Sequence, residues 1–137
     1  MAGTAFIGEP FPSQARSWVV ALWIAAILVV AVGELLPGGS APLDWVDSLG
    51  VSDKIEHFTA YFGLAVIPVL GFDTKRGLAA ALSMILLGVL LDVAQKFIPG
   101  RTFDLADIAA NTVGVFGGLA AARAILLISR RRKSSRG

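Results

Sequence analysis

The sequence predicts an all-α membrane protein: a bundle of four transmembrane helices with both termini in the cytoplasm and a polar layer in its outer half. Three observations carry this. Four apolar segments of bilayer length alternate with short connectors containing Gly, Pro and Asp. Over 137 residues, 55% hydrophobic and only 16% charged, the mean hydropathy is +0.74, too apolar and too short for an ordinary soluble enzyme. Finally, the Lys and Arg residues concentrate on alternate connectors and at the ends.

Residues 1–17 read as an N-terminal tail without a fold, carrying Pro10, Pro12 and Arg16. The membrane domain is expected over 18–128. Trp18 to Leu36 is the first span, because about 19 residues at the helical rise cover roughly the 30 Å hydrocarbon core. It is longer than the apolar core of a cleaved leader. Pro37-Gly38-Gly39 stops it, and Ser40 to Ser52 reads as a loop with Trp45 and Leu49 at an interface. Asp53, with Glu56 three residues on, resembles a capping box opening the second span, Lys54 to Phe72, in which Pro68 marks a kink. Asp73-Thr74-Lys75-Arg76 connects it to the third span, Leu78 to Ile98. Pro99-Gly100-Arg101 then turns into the fourth, Leu105 to Ile128, capped by Asp104. Residues 129–137 form a basic cytoplasmic tail with no reason to fold.

With four spans both termini share one side, which holds Arg16, Lys75, Arg76 and the five bases of the tail, so the positive-inside rule places it in the cytoplasm. The other side holds only Lys54, Lys96 and Arg101 among the bases. It holds eight of the ten acids: Glu34, Asp44, Asp47, Asp53, Glu56, Asp92, Asp104 and Asp107. Measured from the outer ends of their helices, His57 lies about 6 Å in, Asp92 about 9 Å and Asn111 about 10 Å. Asp53 and His57 are spaced i, i+4, Asp92 and Gln95 i, i+3, and Asp107, Asn111 and Gly114 i, i+4, i+7, so each helix presents its polar groups along one face. Ionisable groups at this depth cost about 2.5 to 3.5 kcal/mol each on insertion scales, so they pair, face a protein interior or serve function.

Asp53-Lys54-Ile55-Glu56-His57-Phe58, Asp92-Val93-Ala94-Gln95, Pro99-Gly100-Arg101 and Asp107 with Asn111 and Gly114 together resemble the VanZ-like family of small bacterial membrane proteins. That family is named for a protein associated with low-level teicoplanin resistance. The resemblance covers roughly Val30 to Leu127 and departs from the family pattern at Asp92, where Glu is usual. It implies an integral protein of the bacterial cytoplasmic membrane with an envelope-associated role, and it supplies no mechanism.

The candidate ligand-binding residues are Lys54, His57, Asp92, Gln95, Arg101, Asp107 and Asn111. Gly114, Gly118 and Ala122 form a small-residue seam for helix packing. Lys54 and Arg101, near the positive ends of the second and fourth helices, offer a seat for a phosphate or carboxylate head group, against an acidic rim. A divalent-metal site from His57, Asp92 and Asp107 is the competing reading, but no ligand pair has a diagnostic metal spacing, there is no cysteine, and neither a metal nor a cofactor is expected. No nucleophile elbow, phosphate loop or nucleic-acid motif is present. The reading is a non-catalytic module binding a lipid-linked or amphiphilic envelope compound at the outer leaflet, with membrane lipids, or partner membrane subunits, as partners and no nucleic acid. The alternatives are an accessory subunit of a larger membrane complex, and an intramembrane enzyme using His57 as general base on a lipid phosphoester.

Overall fold

The structure, a computed structural model, describes residues 13–135, whose regular elements are five helices: α1 Ser13–Leu35, α2 Ala41–Asp47, α3 Asp53–Gly71, α4 Thr74–Gln95 and α5 Leu105–Ser134. Three of these, over Ala15–Leu35, Thr74–Gln95 and Leu105–Ser134, are long and apolar enough to cross a membrane. The expectation of four such spans is therefore corrected. Lys54, Glu56 and His57 occupy the first turns of α3, and their polarity leaves too little apolar length in its 19 residues.

Helix boundaries also depart from the sequence reading. The unfolded tail expected through residue 17 is helical from Ser13 on, and its remainder lies outside the described residues. The basic tail is helical to Ser134. No Gly or Pro interrupts Leu119 to Ser134, Arg and Lys are good helix formers, and bases in a last turn complement the helix dipole. The connector taken for a loop contains α2, which opens with Pro in its first turn and carries Asp44 there. The capping box at Asp53 does not form: the N-cap of α3 is Ser52, without a side-chain hydrogen bond, and Asp53 is the first helical residue. Asp73 caps α4 by accepting from the Arg76 amide at 3.0 Å; that bond holds its carboxyl below the usual carboxylate range.

α3 lies at the centre of the bundle. Tyr61, Ala65 and Leu64 are buried there with Ala81 and Met84 of α4 and Val115 and Ala122 of α5. α5 lies against it along Gly114, Gly118 and Ala122. A Cβ on Gly114 would stand 2.5 Å from the Phe58 carbonyl oxygen, and one on Gly118 would strike the Phe62 carbonyl. The small-residue seam is thus covered by the chain's own α3. Gly88 of α4 leaves room in the same way, since a Cβ there would stand 3.0 Å from the Tyr61 ring and 3.1 Å from Asn111 Nδ2. α1 is tied on by Trp23, whose indole N–H donates to the Leu64 carbonyl at 2.8 Å and whose ring meets Phe72 edge-on at 5.6 Å. The opposite face of α1, with Trp18, Leu22, Leu28, Val29 and Val32, is exposed, as befits a helix that faces lipid.

Candidate functional site

The polar residues gather at one end of the bundle, where α1 and α4 end and α3 and α5 begin, but in three groups rather than one cluster. The first is a buried line. Asn111 Nδ2 donates to Asp92 Oδ2 at 3.0 Å, and Asn111 Oδ1 lies 2.9 Å from His57 Nδ1. The Asn111 amide nitrogen faces Asp92 and its oxygen faces His57, and an amide oxygen only accepts, so His57 Nδ1 carries the proton. His57 is 8% exposed, Asp92 0% and Asn111 1%. On its flanks, Glu34 Oε1 stands 3.8 Å from His57 Nδ1 and Asp53 Oδ1 stands 3.5 Å from Nε2.

The second group surrounds one ammonium. Lys54 Nζ meets Asp53 Oδ2 at 3.2 Å and Asp104 Oδ2 at 2.8 Å, and it also contacts Asp107 Oδ1. Asp107 is nearly enclosed, at 4% exposure, whereas Asp104 is partly exposed and caps α5 by accepting from the Ala106 amide at 2.9 Å. The Lys54 hydrogen bond, followed by the Ala106 amide, holds the Asp104 carboxyl below its ordinary range.

The third group ties α4 and its following turn to the end of α1. Gln95 Nε2 donates to the Glu34 carbonyl at 3.2 Å. Arg101 donates from Nε to the Leu36 carbonyl at 3.0 Å and from Nη2 to the Gly33 carbonyl at 2.7 Å, so it satisfies carbonyls that the end of a helix leaves free. Gly38 completes the junction, its amide donating to the Pro99 carbonyl at 3.0 Å. The expected anion seat is thereby weakened: Lys54 is held by three carboxylates, and two of the Arg101 donors are committed to α1.

Between these groups lies an open cavity of about 330 Å³, bordered by the end of α1, α2, the start of α3 and the turn at Gly100 and Arg101. Its apolar lining includes Val30, Leu43, Val46 and Ala60, and its polar lining consists of Glu34, Asp47, Asp53, Glu56, His57 and Arg101. Glu34 Oε2 and Glu56 Oε1 are buried without a hydrogen-bond partner. So are Asp92 Oδ1 and the Tyr61 hydroxyl, deeper in the bundle. Lys96 lies elsewhere, its Nζ 4.1 Å from the centre of the Phe103 ring.

Of the seven candidate ligand residues, the structure joins His57, Asn111 and Asp92 in one line and Lys54 with Asp107 in another, while Gln95 and Arg101 bind backbone of α1. Only His57 and Arg101 of the seven line the cavity. Sequence reasoning missed Glu34, Asp47, Asp53 and Glu56 as cavity residues. The available signal was the excess of acids on this side of the chain; what concealed it was that α2, which lines the cavity, reads as loop.

The chain is similar to an uncharacterized protein of the fission yeast Schizosaccharomyces pombe, with 31% identity over 103 residues. The match takes in 72% of this chain and 59% of that protein, so this chain spans less than two thirds of the relative's length. No protein-family model matches the sequence, and no solved structure matches it.

Proposed function

We propose that this is an integral membrane protein that holds the polar head of an amphiphilic compound in the cavity at the outer end of its bundle, without turning it over. The observation that carries this reading is the pair of buried, unpartnered carboxylate oxygens, Glu34 Oε2 and Glu56 Oε1, on residues that line one cavity. Buried acceptors without donors cost about 1 to 3 kcal/mol each, and a ligand that brings ammonium or hydroxyl donors removes that cost. Four carboxylates on the wall favour a cationic or hydroxyl-rich head over a phosphate. The apolar lining from Val30, Leu43, Val46 and Ala60 gives the adjoining chain somewhere to lie. In this reading α3 crosses the membrane as the enclosed member of the bundle, with its polar first turns facing α1, α4 and α5, and both termini are cytoplasmic. The resemblance to VanZ-like proteins, and with it a bacterial cytoplasmic membrane, belongs to the same proposal. It rests on the order of the motifs from Asp53 to Gly114.

The test uses the full chain in nanodiscs with two fluorescent probes of equal chain length, one headed by a primary ammonium and one by a phosphate. The ammonium probe should bind saturably, and Glu34→Gln and Glu56→Gln should each weaken it about tenfold, as expected for one charge-assisted bond. Equal binding of both probes, or variants that bind like the parent, would refute the proposal.

A further inference from the structure

We infer that Asp53, His57 and Asp107 form a site for a divalent cation that accepts imidazole nitrogen as a ligand, such as Mn²⁺ or Zn²⁺. Each residue brings one ligand atom, and these atoms lie within 4.8 Å of one another. His57 Nε2 and Asp53 Oδ1 are 3.5 Å apart, close to the roughly 3.4 Å edge between two ligands each about 2.1 Å from a tetrahedral ion. Asp53 has the freedom to close the remaining gap, since its side chain is 57% exposed, and water completes the shell from the same side.

The arrangement of His57 points to a ligand independently of the acids. Its Nδ1 proton is committed to Asn111 Oδ1, and Asn111 is in turn fixed by Asp92. That turns Nε2, on a residue 8% exposed, toward Asp53 Oδ1 at 3.5 Å, longer than an ordinary hydrogen bond. Histidines that bind metal characteristically donate their other ring N–H to an oxygen, which fixes ring and tautomer, and the His57–Asn111–Asp92 line supplies that support here. Charge agrees: Asp53, Asp104 and Asp107 around Lys54 leave two negative charges that a divalent ion balances. Lys54 takes Asp53 Oδ2 and Asp107 Oδ1, so each of these two carboxylates keeps a second oxygen. One imidazole with two carboxylates suits Mn²⁺ or Zn²⁺ better than Ca²⁺ or Mg²⁺, which prefer oxygen alone.

This inference stands on the surroundings of His57 and not on what the cavity holds, so it survives failure of the ammonium probe. His57 is the chain's single histidine, which makes a nitrogen signal unambiguous in protein prepared without a histidine tag. Chelator-stripped full chain in nanodiscs is titrated with Mn²⁺, and electron spin-echo modulation is read for imidazole nitrogen. The expected result is one Mn²⁺ per chain with a nitrogen coupling, displaced by Zn²⁺ and not by equal Mg²⁺. Asp53→Asn, a change at an exposed side chain that leaves the fold in place, should weaken binding about tenfold or more. Asp107→Asn should do the same. Binding without a nitrogen coupling, both variants binding as the parent does, or nitrogen NMR of His57 showing a protonated Nε2 in the presence of metal would overturn the assignment. In that last case a proton fills the gap instead.

Discussion

Arg101→Lys tests whether the charge or the fork of Arg101 matters. The guanidinium donates to two carbonyls at the end of α1, Gly33 in its last turn at 2.7 Å and Leu36 just beyond it at 3.0 Å, which a single ammonium on a flexible stem does not span. Lysine keeps the positive charge at the C-terminal end of α1, worth about 0.3 to 1 kcal/mol, and one of the two bonds. The substitution therefore forfeits the other, a charge-assisted bond of about 1.5 to 3 kcal/mol in a soluble protein but nearer 0.6 kcal/mol on average between membrane helices. Because Arg101 is half-buried at the bundle end, we expect a loss of about 1 to 2 kcal/mol, and more for Arg101→Ala. Trp23 supplies the assay. Its indole binds the Leu64 carbonyl across α1 and α3, so with Trp18 and Trp45 changed to Phe its emission reports undocking of α1 during a denaturing-detergent titration. A midpoint shift toward lower denaturant is expected. An Arg101→Lys protein as stable as its parent, within about 0.3 kcal/mol, would mean that the two carbonyl bonds do not hold α1 in place.

Gly114→Val should be among the most damaging single changes, costing about 1 to 3 kcal/mol or more in unfolding experiments, because even a Cβ there stands 2.5 Å from the Phe58 carbonyl oxygen; Gly33→Val, where a Cβ meets nothing within 4 Å, is the control. Asp104 is held below its ordinary value by the Lys54 and Ala106 hydrogen bonds, so it stabilises the folded state above its unfolded value of 3.8 and that contribution is lost as pH falls through the folded value. The stability difference between the parent and Asp104→Asn should therefore be constant from neutrality down to about pH 5 and shrink below pH 4; a difference unchanged at pH 3 would contradict it. For topology, cysteines at Ser40 and Ser135 in intact cells should be labelled by an impermeant reagent at Ser40 alone. Labelling at both positions would refute the proposed topology, because the fold sets Ser40 and Ser135 at opposite ends of the bundle.

The all-helical class and three of the four expected spans were legible from the chain because hydrocarbon-length apolar segments are a local property, read residue by residue without knowing what packs on what. The caps at Asp104 and the breaks at Pro37-Gly38-Gly39 and Pro99-Gly100 were legible for the same reason, since a cap or a turn is built by neighbours in sequence. The periodicity that put His57, Asp92 and Asn111 on helix faces also anticipated the residues of the buried line, although not which of them would touch. Tertiary structure alone decided the partners. Arg101 binds α1 carbonyls 65 and 68 residues away, and Lys54 reaches Asp104 and Asp107 over 50 and 53 residues, separations at which spacing carries no information. Glu34 read as an acid near the end of a span; only the packing of α1 against α3 placed it beside His57. α2 was invisible because a seven-residue helix has too few turns to show a period. Where α2 closes over the start of α3, scattered acids become a single cavity, because burial, unlike hydropathy, is a property of neighbours in space rather than in sequence.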